Sequence, residues 1–349
     1  MKAPKTGVLL LQLGTPDSPS VGDVRRYLRQ FLMDYRVIDV PYALRQVLVN
    51  GIIANFRAPK SAKLYKEIWT EQGSPLLIYG RSVQQKLQQE LGPDFIVELG
   101  MRYRKPPIHE ALQRLKDARV EQIILLPLFP QFASSSTGSA LEESMRILSK
   151  WQYIPELKII SSYYSDPEFI RLWVEKGRAF NPQEYDTVMF TFHGVPWRHI
   201  RKSGCSGACQ KGPRACPEIT PENSVCYRAQ CFASARAVIK DLGLPEEKVV
   251  ITFQSRLGND PWLTPYTDKT LESLAKSGKK RVLVFSMAFV ADCLETIHEV
   301  GTEYQELFEE HGGEKVQLIP SLNDDQTWVS YLASLVNQRV SQAELMATE

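Results

Sequence analysis

Short apolar runs rich in β-branched residues recur along the chain, separated by longer stretches with helical spacing. In the first half they fall at residues 7–13, 95–101, 122–128 and 157–160, and in the second half at 187–191, 248–253, 281–286 and 316–319. Strands that alternate with helices imply parallel sheets covered on both faces. The pattern predicts an α/β protein of two Rossmann-like lobes, each with a four-stranded parallel sheet. The halves echo one another. GVLLLQLGTP and TVMFTFHGVP are both a strand followed by Gly-x-Pro, while QIILLPLFP and RVLVFSMAFV place Phe129 and Phe289 at matching points. This reads as a duplication of one α/β unit. The predicted boundaries are 1–165 for an N-terminal lobe with an apolar lip, 166–325 for a C-terminal lobe with a Cys-rich insertion, and 326–349 for a C-terminal helix. In such folds ligands sit beyond the carboxyl ends of the strands, so the cleft between the lobes is the expected site.

A length of 349 residues suits two domains of average size. Hydrophobic residues at 43% and charged residues at 23% are ordinary for a globular chain. The net charge of +2 argues against nucleic acid as a partner. Locally, Arg57, Lys60, Lys63 and Lys66 form a basic cluster suited to a small anionic ligand. The apolar run near the N-terminus spans only about seven residues before Gly-Thr-Pro, so it reads as a first strand and not a signal peptide. No stretch approaches the roughly 20 apolar residues of a membrane-spanning helix. The expected location is the cytoplasm, including the inner face of the membrane. Residues 31–56, FLMDYRVIDVPYALRQVLVNGIIANF, mix large apolar side chains with arginines. They are expected to form a lip that touches the membrane surface; the competing reading is a buried helix pair.

Several residues carry candidate chemistry. His193 closes the strand TVMFTF and precedes Gly194, which permits close approach of a ligand. A histidine there can exchange protons near neutral pH, or serve as a hydrogen-bonded structural residue. The stretch AFVADCLETIHEVGTEY reads as a helix carrying Asp292, Glu295, Glu299 and Glu303. The three glutamates are four apart and line one face, which costs a few tenths of a kcal/mol per pair unless solvent, protons or a cation relieve it. A solvated acidic face is one explanation. A row of carboxylates poised for protons or a cation is the other. Ser134, Ser135, Ser136 and Thr137 follow a strand and precede a helix, a place that suits either an anion or plain capping. Arg102 and Tyr103 end the second strand, as a holder of a substrate carboxylate or as a surface pair.

The segments LGTPDSPSVGDVRRYLRQFL, RAPKSAKLY, GSPL, FPQFASSSTGSALEE, FHGVP, FQSRLGNDPWLTPYTDKTL and FVADCLETIHEV together resemble the ferrochelatases over most of the chain. The resemblance implies the type II chelatase architecture of that family and insertion of Fe2+ into protoporphyrin IX, the final step of haem biosynthesis. It implies that His193 is the pyrrole proton acceptor or a metal-handling ligand. It also places Glu295 across the macrocycle, with Glu299 and Glu303 leading away as metal or proton sites. Leu13, Arg57, Lys60, Tyr65, Ser74, Arg102, Tyr103, Ser135, Trp262, Phe289 and Asp292 fall where family members contact or enclose the porphyrin. Two departures are notable. Cys293 stands where some members have histidine, and Leu13 stands where the coproporphyrin branch tends to have tyrosine, which favours protoporphyrin. A flat apolar slot with a base on one side and a proton or metal route on the other suits a reaction that expels two pyrrole protons.

Five of the six cysteines fall between Cys205 and Cys231, which in a reducing compartment points to metal before disulfides. Cys205, Cys209, Cys216 and Cys226 have the spacing C-x3-C-x6-C-x9-C, neither a usual zinc pattern nor a plant ferredoxin pattern. Some ferrochelatases carry a [2Fe-2S] cluster, and these four cysteines are its expected ligands, with a structural zinc as the alternative. Cys231 and Cys293 are expected to be non-ligands. Members that place a cluster cysteine before the serine-rich loop have it where Ser134 stands here, so this chain would need its own arrangement.

Overall fold

The strand Thr6–Gly14 (β1) is buried along almost its whole length, with Val8, Leu9, Leu10 and Leu11 wholly inaccessible. A strand buried on both faces needs neighbours on each edge and helices above and below. A computed structural model of the chain, which describes residues 6–204, 216, 218–258 and 260–346, supplies both. Phe95–Tyr103 (β2), Gln122–Pro127 (β3) and Glu156–Ile159 (β4) complete a parallel sheet of order β2-β1-β3-β4. Thr187–His193 (β5), Val249–Gln254 (β6), Arg281–Phe285 (β7) and Lys315–Leu318 (β8) form a second parallel sheet, of order β6-β5-β7-β8. Every predicted apolar run is a strand. The two sheets share one strand order, the structural counterpart of the repeated sequence.

The chain divides into two compact units. The first comprises the residues up to Phe129, Ala133–Ser162 and the segment from Asn323 onward; the second comprises Pro130–Phe132 and Tyr163–Leu322. In the first unit, the C-terminal helix Gln326–Met346 packs on the helix Pro75–Leu91. Lys86 and Ser82 both bond the Asp324 carboxylate, at 2.8 and 2.6 Å. In the second unit, Phe190 stacks on Phe285 at 4.6 Å across β5 and β7. Buried Thr191 completes its hydroxyl through Thr267, which in turn bonds Thr252, so these three hydroxyls are satisfied within the core.

Two local outcomes differ from the helical patterns read in the sequence. The lip region is not a buried helix pair. After the helix Val21–Leu32 the chain forms a short helix Tyr42–Gln46, a π-helix Val47–Ile53 and the helix Ala54–Ile68. Val49, Ala54 and Ala58 face inward. Tyr42, Val47 and Phe56 are 65%, 64% and 78% exposed. The second difference lies after β7, where Met287–Cys293 forms turns and a π-helix, Glu295–Glu303, follows. The serine-rich segment after β3 is likewise a π-turn, Ser134–Gly138. Each i→i+5 turn admits one more residue than an α-helix, a rare geometry that clusters at functional sites, and these two occupy equivalent places in the two units.

Candidate functional site

In the second unit the chain runs from β5 outward to β6, then crosses back to β7 on the other side of β5. This reversal is a topological switch point, where a crevice opens beyond the carboxyl ends of β5 and β7. His193 is the last residue of β5, in register with Gln254. Residues 195–197 pair with 261–263 through Leu263 N to Val195 O and Trp197 N to Pro261 O, both 3.0 Å. That pairing sets Trp262 beside His193, with ring centroids 6.5 Å apart, while Phe289 from the turn after β7 lies 6.4 Å away. A side chain at Gly194 would sit 3.0 Å from the carbonyl oxygens of Gln254 and Ser255, a close approach that favours glycine. The His193 Nδ1 lies 2.6 Å from the Gly194 carbonyl. A carbonyl only accepts, so Nδ1 is the donor of this bond and Nε2 is left for other partners.

The acidic residues arrive from the π-helix. Glu299 accepts from the Ser255 hydroxyl at 2.5 Å, from Tyr304 at 2.8 Å and from the Gln254 amide at 3.3 Å. Burial pushes the Glu299 carboxyl up and the neighbouring Glu295 charge adds to this, while the Ser255 and Tyr304 hydrogen bonds oppose it. Gln254, the register partner of His193 across β5 and β6, also donates to the Glu295 carbonyl at 3.3 Å, so the start of the π-helix lies at the same strand end as His193. The Tyr304 phenol is pushed up by burial and by the Glu299 charge, and stays a donor. Ser255 holds a left-handed backbone, φ 57°, uncommon for a residue with a side chain. Glu303 is placed differently: it is 46% exposed and pairs with His298 Nε2 at 3.3 Å. Asp292 is buried, its Oδ1 accepting from the Thr296 hydroxyl at 3.0 Å and the Ser321 N–H at 3.2 Å, which fixes the turn before the π-helix. Gln254, Ser255 and Tyr304 were not singled out from the sequence, although the first two lie in the FQS stretch.

In the first unit, the carboxyl ends of β1 and β2 carry a second polar group. Gly14 has φ 119°, and a side chain there would fall 2.0 Å from the Tyr103 carbonyl. Leu13 beside it is half-buried, and Thr15 donates to buried Ser74 at 2.9 Å. Arg102 is neither a surface pair nor an open cation. It donates to the buried Asp34 carboxylate at 2.8 Å and to Ser139 at 2.7 Å. Tyr103 donates to the same carboxylate at 2.9 Å, and burial with the Asp34 charge pushes its phenol up. Arg36 donates to Ser134 at 2.9 Å and pairs with Glu142, tying the lip to the serine-rich turn that contains half-buried Ser135. Asp34, Ser139 and Arg36 gave no sequence signal, because only tertiary contact assembles them. On the helix Ala54–Ile68, Arg57 and Lys60 are exposed, whereas Tyr65 is buried edge-on against Tyr27 and Trp69.

Cys205 and Cys209 lie outside the described residues. Cys216 is buried with φ 60°, and its sulfur accepts from Arg228 at 3.6 Å. Cys226 is buried at the residue preceding the helix Tyr227–Asp241. Burial pushes the Cys231 and Cys293 thiols up, as for inert structural cysteines. Among the described residues, no group of three or more His, Cys, Asp and Glu side chains is arranged to hold a metal ion.

SirB from Bacillus subtilis with Fe3+ superposes with a TM-score of 0.53 at 10% identity, covering 97% of each chain. That likeness is one of fold alone. The family model for ferrochelatase matches residues 5–340. A ferrochelatase of Coxiella burnetii (strain Dugway 5J108-111) is 45% identical over 338 residues, 96% of this chain and 94% of its own. One of Legionella pneumophila (strain Paris) is 43% identical over 336 residues, 96% of this chain and all of its own. The chain belongs to the ferrochelatase family, and is thus a metal chelatase of the lyase class that acts on ferrous iron and a porphyrin.

Proposed function

We propose that the porphyrin is protoporphyrin IX and that His193 and Glu295 carry its metallation, completing protohaem. The observation that carries this reading is the contact of His193 Nδ1 with the Gly194 carbonyl, at 2.6 Å, which leaves Nε2 as the nitrogen available to a pyrrole proton at the switch point. Insertion of Fe2+ replaces two pyrrole N–H protons, and one proton leaves for each Fe–N bond that forms in place of N–H. Nε2 takes a pyrrole proton. Glu295 and Glu299 offer carboxylates for the iron or for protons, and Glu299, with its raised affinity for a proton, is suited to pass one on. Glu303, exposed beside His298, is the solvent end of the row. Porphyrin contacts in the second unit are assigned to Trp262 and Phe289, with Asp292 fixing the turn. In the first unit they are assigned to Leu13, Arg57, Lys60, Ser74 and Ser135, with Arg102, Tyr103 and Tyr65 supporting from behind. Anaerobic incubation with Fe2+ and protoporphyrin IX should yield the haem spectrum. Faster turnover of coproporphyrin would overturn the substrate assignment.

Cys205, Cys209, Cys216 and Cys226 are proposed to hold a [2Fe-2S] cluster. The two described members are buried, and the Arg228 guanidinium at the Cys216 sulfur favours the thiolate that iron requires. Structural zinc would use the same thiolates. The cluster would brace the segment, since metallation involves no electron transfer.

The exposed side chains of Tyr42, Leu44, Val47, Ile52 and Phe56 are proposed to rest on the inner face of the cytoplasmic membrane. No helix of the described residues is long and apolar enough to cross one.

A further inference from the structure

The carbonyl of His193 and the N–H of Gly194 belong to one planar peptide unit. Its N–H donates to the Gln254 carbonyl at 2.7 Å, the last link of the ladder between β5 and β6. Its C=O lies past the end of that ladder and accepts instead from the Tyr227 hydroxyl, at 2.9 Å. Tyr227 is buried and opens the helix Tyr227–Asp241.

We infer that Tyr227 is a positioning residue for His193: by fixing both edges of the 193–194 peptide together with Gln254, it sets the direction of the imidazole. The inference rests on His193 being the proton acceptor. The ring donates its hydrogen bond to the next carbonyl, that of Gly194, so its aim follows the orientation of the preceding peptide. Glycine imposes little restraint of its own on that orientation. A carbonyl left without its donor would turn to find another. The ring would turn with it, and a displacement of about 1 Å at a reacting group costs up to about 100-fold in rate.

The test compares Tyr227→Phe with His193→Ala in the full chain, using Fe2+ and protoporphyrin IX without oxygen. Loss of the hydroxyl should lower kcat about tenfold, leave KM for both substrates within about twofold, and lower the melting temperature by no more than about a few degrees. His193→Ala should show no turnover. Wild-type kcat in Tyr227→Phe with His193→Ala inactive overturns the inference and leaves the assignment of His193 standing. Turnover by His193→Ala overturns both. A Phe variant that fails to fold, or loses KM and melting temperature along with kcat, marks Tyr227 as a structural residue and overturns the inference too.

Discussion

His193 has one ring nitrogen committed to a backbone carbonyl, and its ring lies near those of Trp262 and Phe289. Removing the imidazole takes away the base and leaves the aromatic walls. His193→Ala is therefore expected to abolish insertion while porphyrin still binds, read by porphyrin fluorescence beside turnover at saturating iron. Glu295→Gln should slow insertion severely with binding retained, and near-normal turnover in either variant would sink the pairing. At this scale the sequence showed the residues whose position on a strand end or helix face is itself the signal. It did not show Ser255 and Tyr304, which matter because they donate to Glu299 from two other elements. Nor did it show that Arg102 is occupied by Asp34, 68 residues away. Pairs so distant in sequence leave no local pattern.

At the scale of the element, β1 and β5 were plain because a doubly covered parallel strand must be apolar throughout. Leu10 in β1 is wholly inaccessible. Leu10→Ala is expected to cost about 2–5 kcal/mol, measured by urea unfolding. Asp186 just before β5 accepts the N–H groups of Lys280 and Arg281 at 2.7 and 2.8 Å, joining the starts of β5 and β7. These bonds hold its carboxyl below the ordinary value of 3.8. A carboxyl depressed in the folded state stabilises above its unfolded pKa, and the effect is lost as pH falls through the folded value. Asp186→Asn should therefore be less stable than the wild type at pH 7 and match it near pH 2; a difference unchanged by pH would refute this. The π-helices were not legible: Glu295–Glu303 has the composition and four-residue spacing of an ordinary amphipathic helix. Which carbonyl each N–H selects is settled by the packing around Val300 and Tyr304, both in the core beneath β5 and β7.

On the scale of the whole molecule, the large apolar side chains exposed between Tyr42 and Phe56 carry the membrane proposal. Val47→Ser combined with Phe56→Ser should weaken binding to anionic vesicles at low salt and leave turnover of detergent-dispersed porphyrin unchanged. Vesicle binding equal to that of the wild type would end the idea. The cysteines make a separate prediction: anaerobically purified protein should be reddish-brown, lose its visible absorption on Cys216→Ser and keep it on Cys231→Ser. Colourless protein with one zinc and no acid-labile sulfide would reverse the assignment. By itself the sequence determined eight strands, their parallel pairing, the repeat of one α/β unit and the strand end that bears His193, because burial on two faces and alternation with helices are written locally in side-chain type. Only the tertiary structure decided that Gln254, the partner of His193, reaches the Glu295 carbonyl and the Glu299 carboxylate while Glu303 turns to His298, and that the segment from Asn323 returns to the first unit. Those outcomes depend on hydrogen bonds and packing between residues far apart in the chain, whose free energy exists only once the fold has closed.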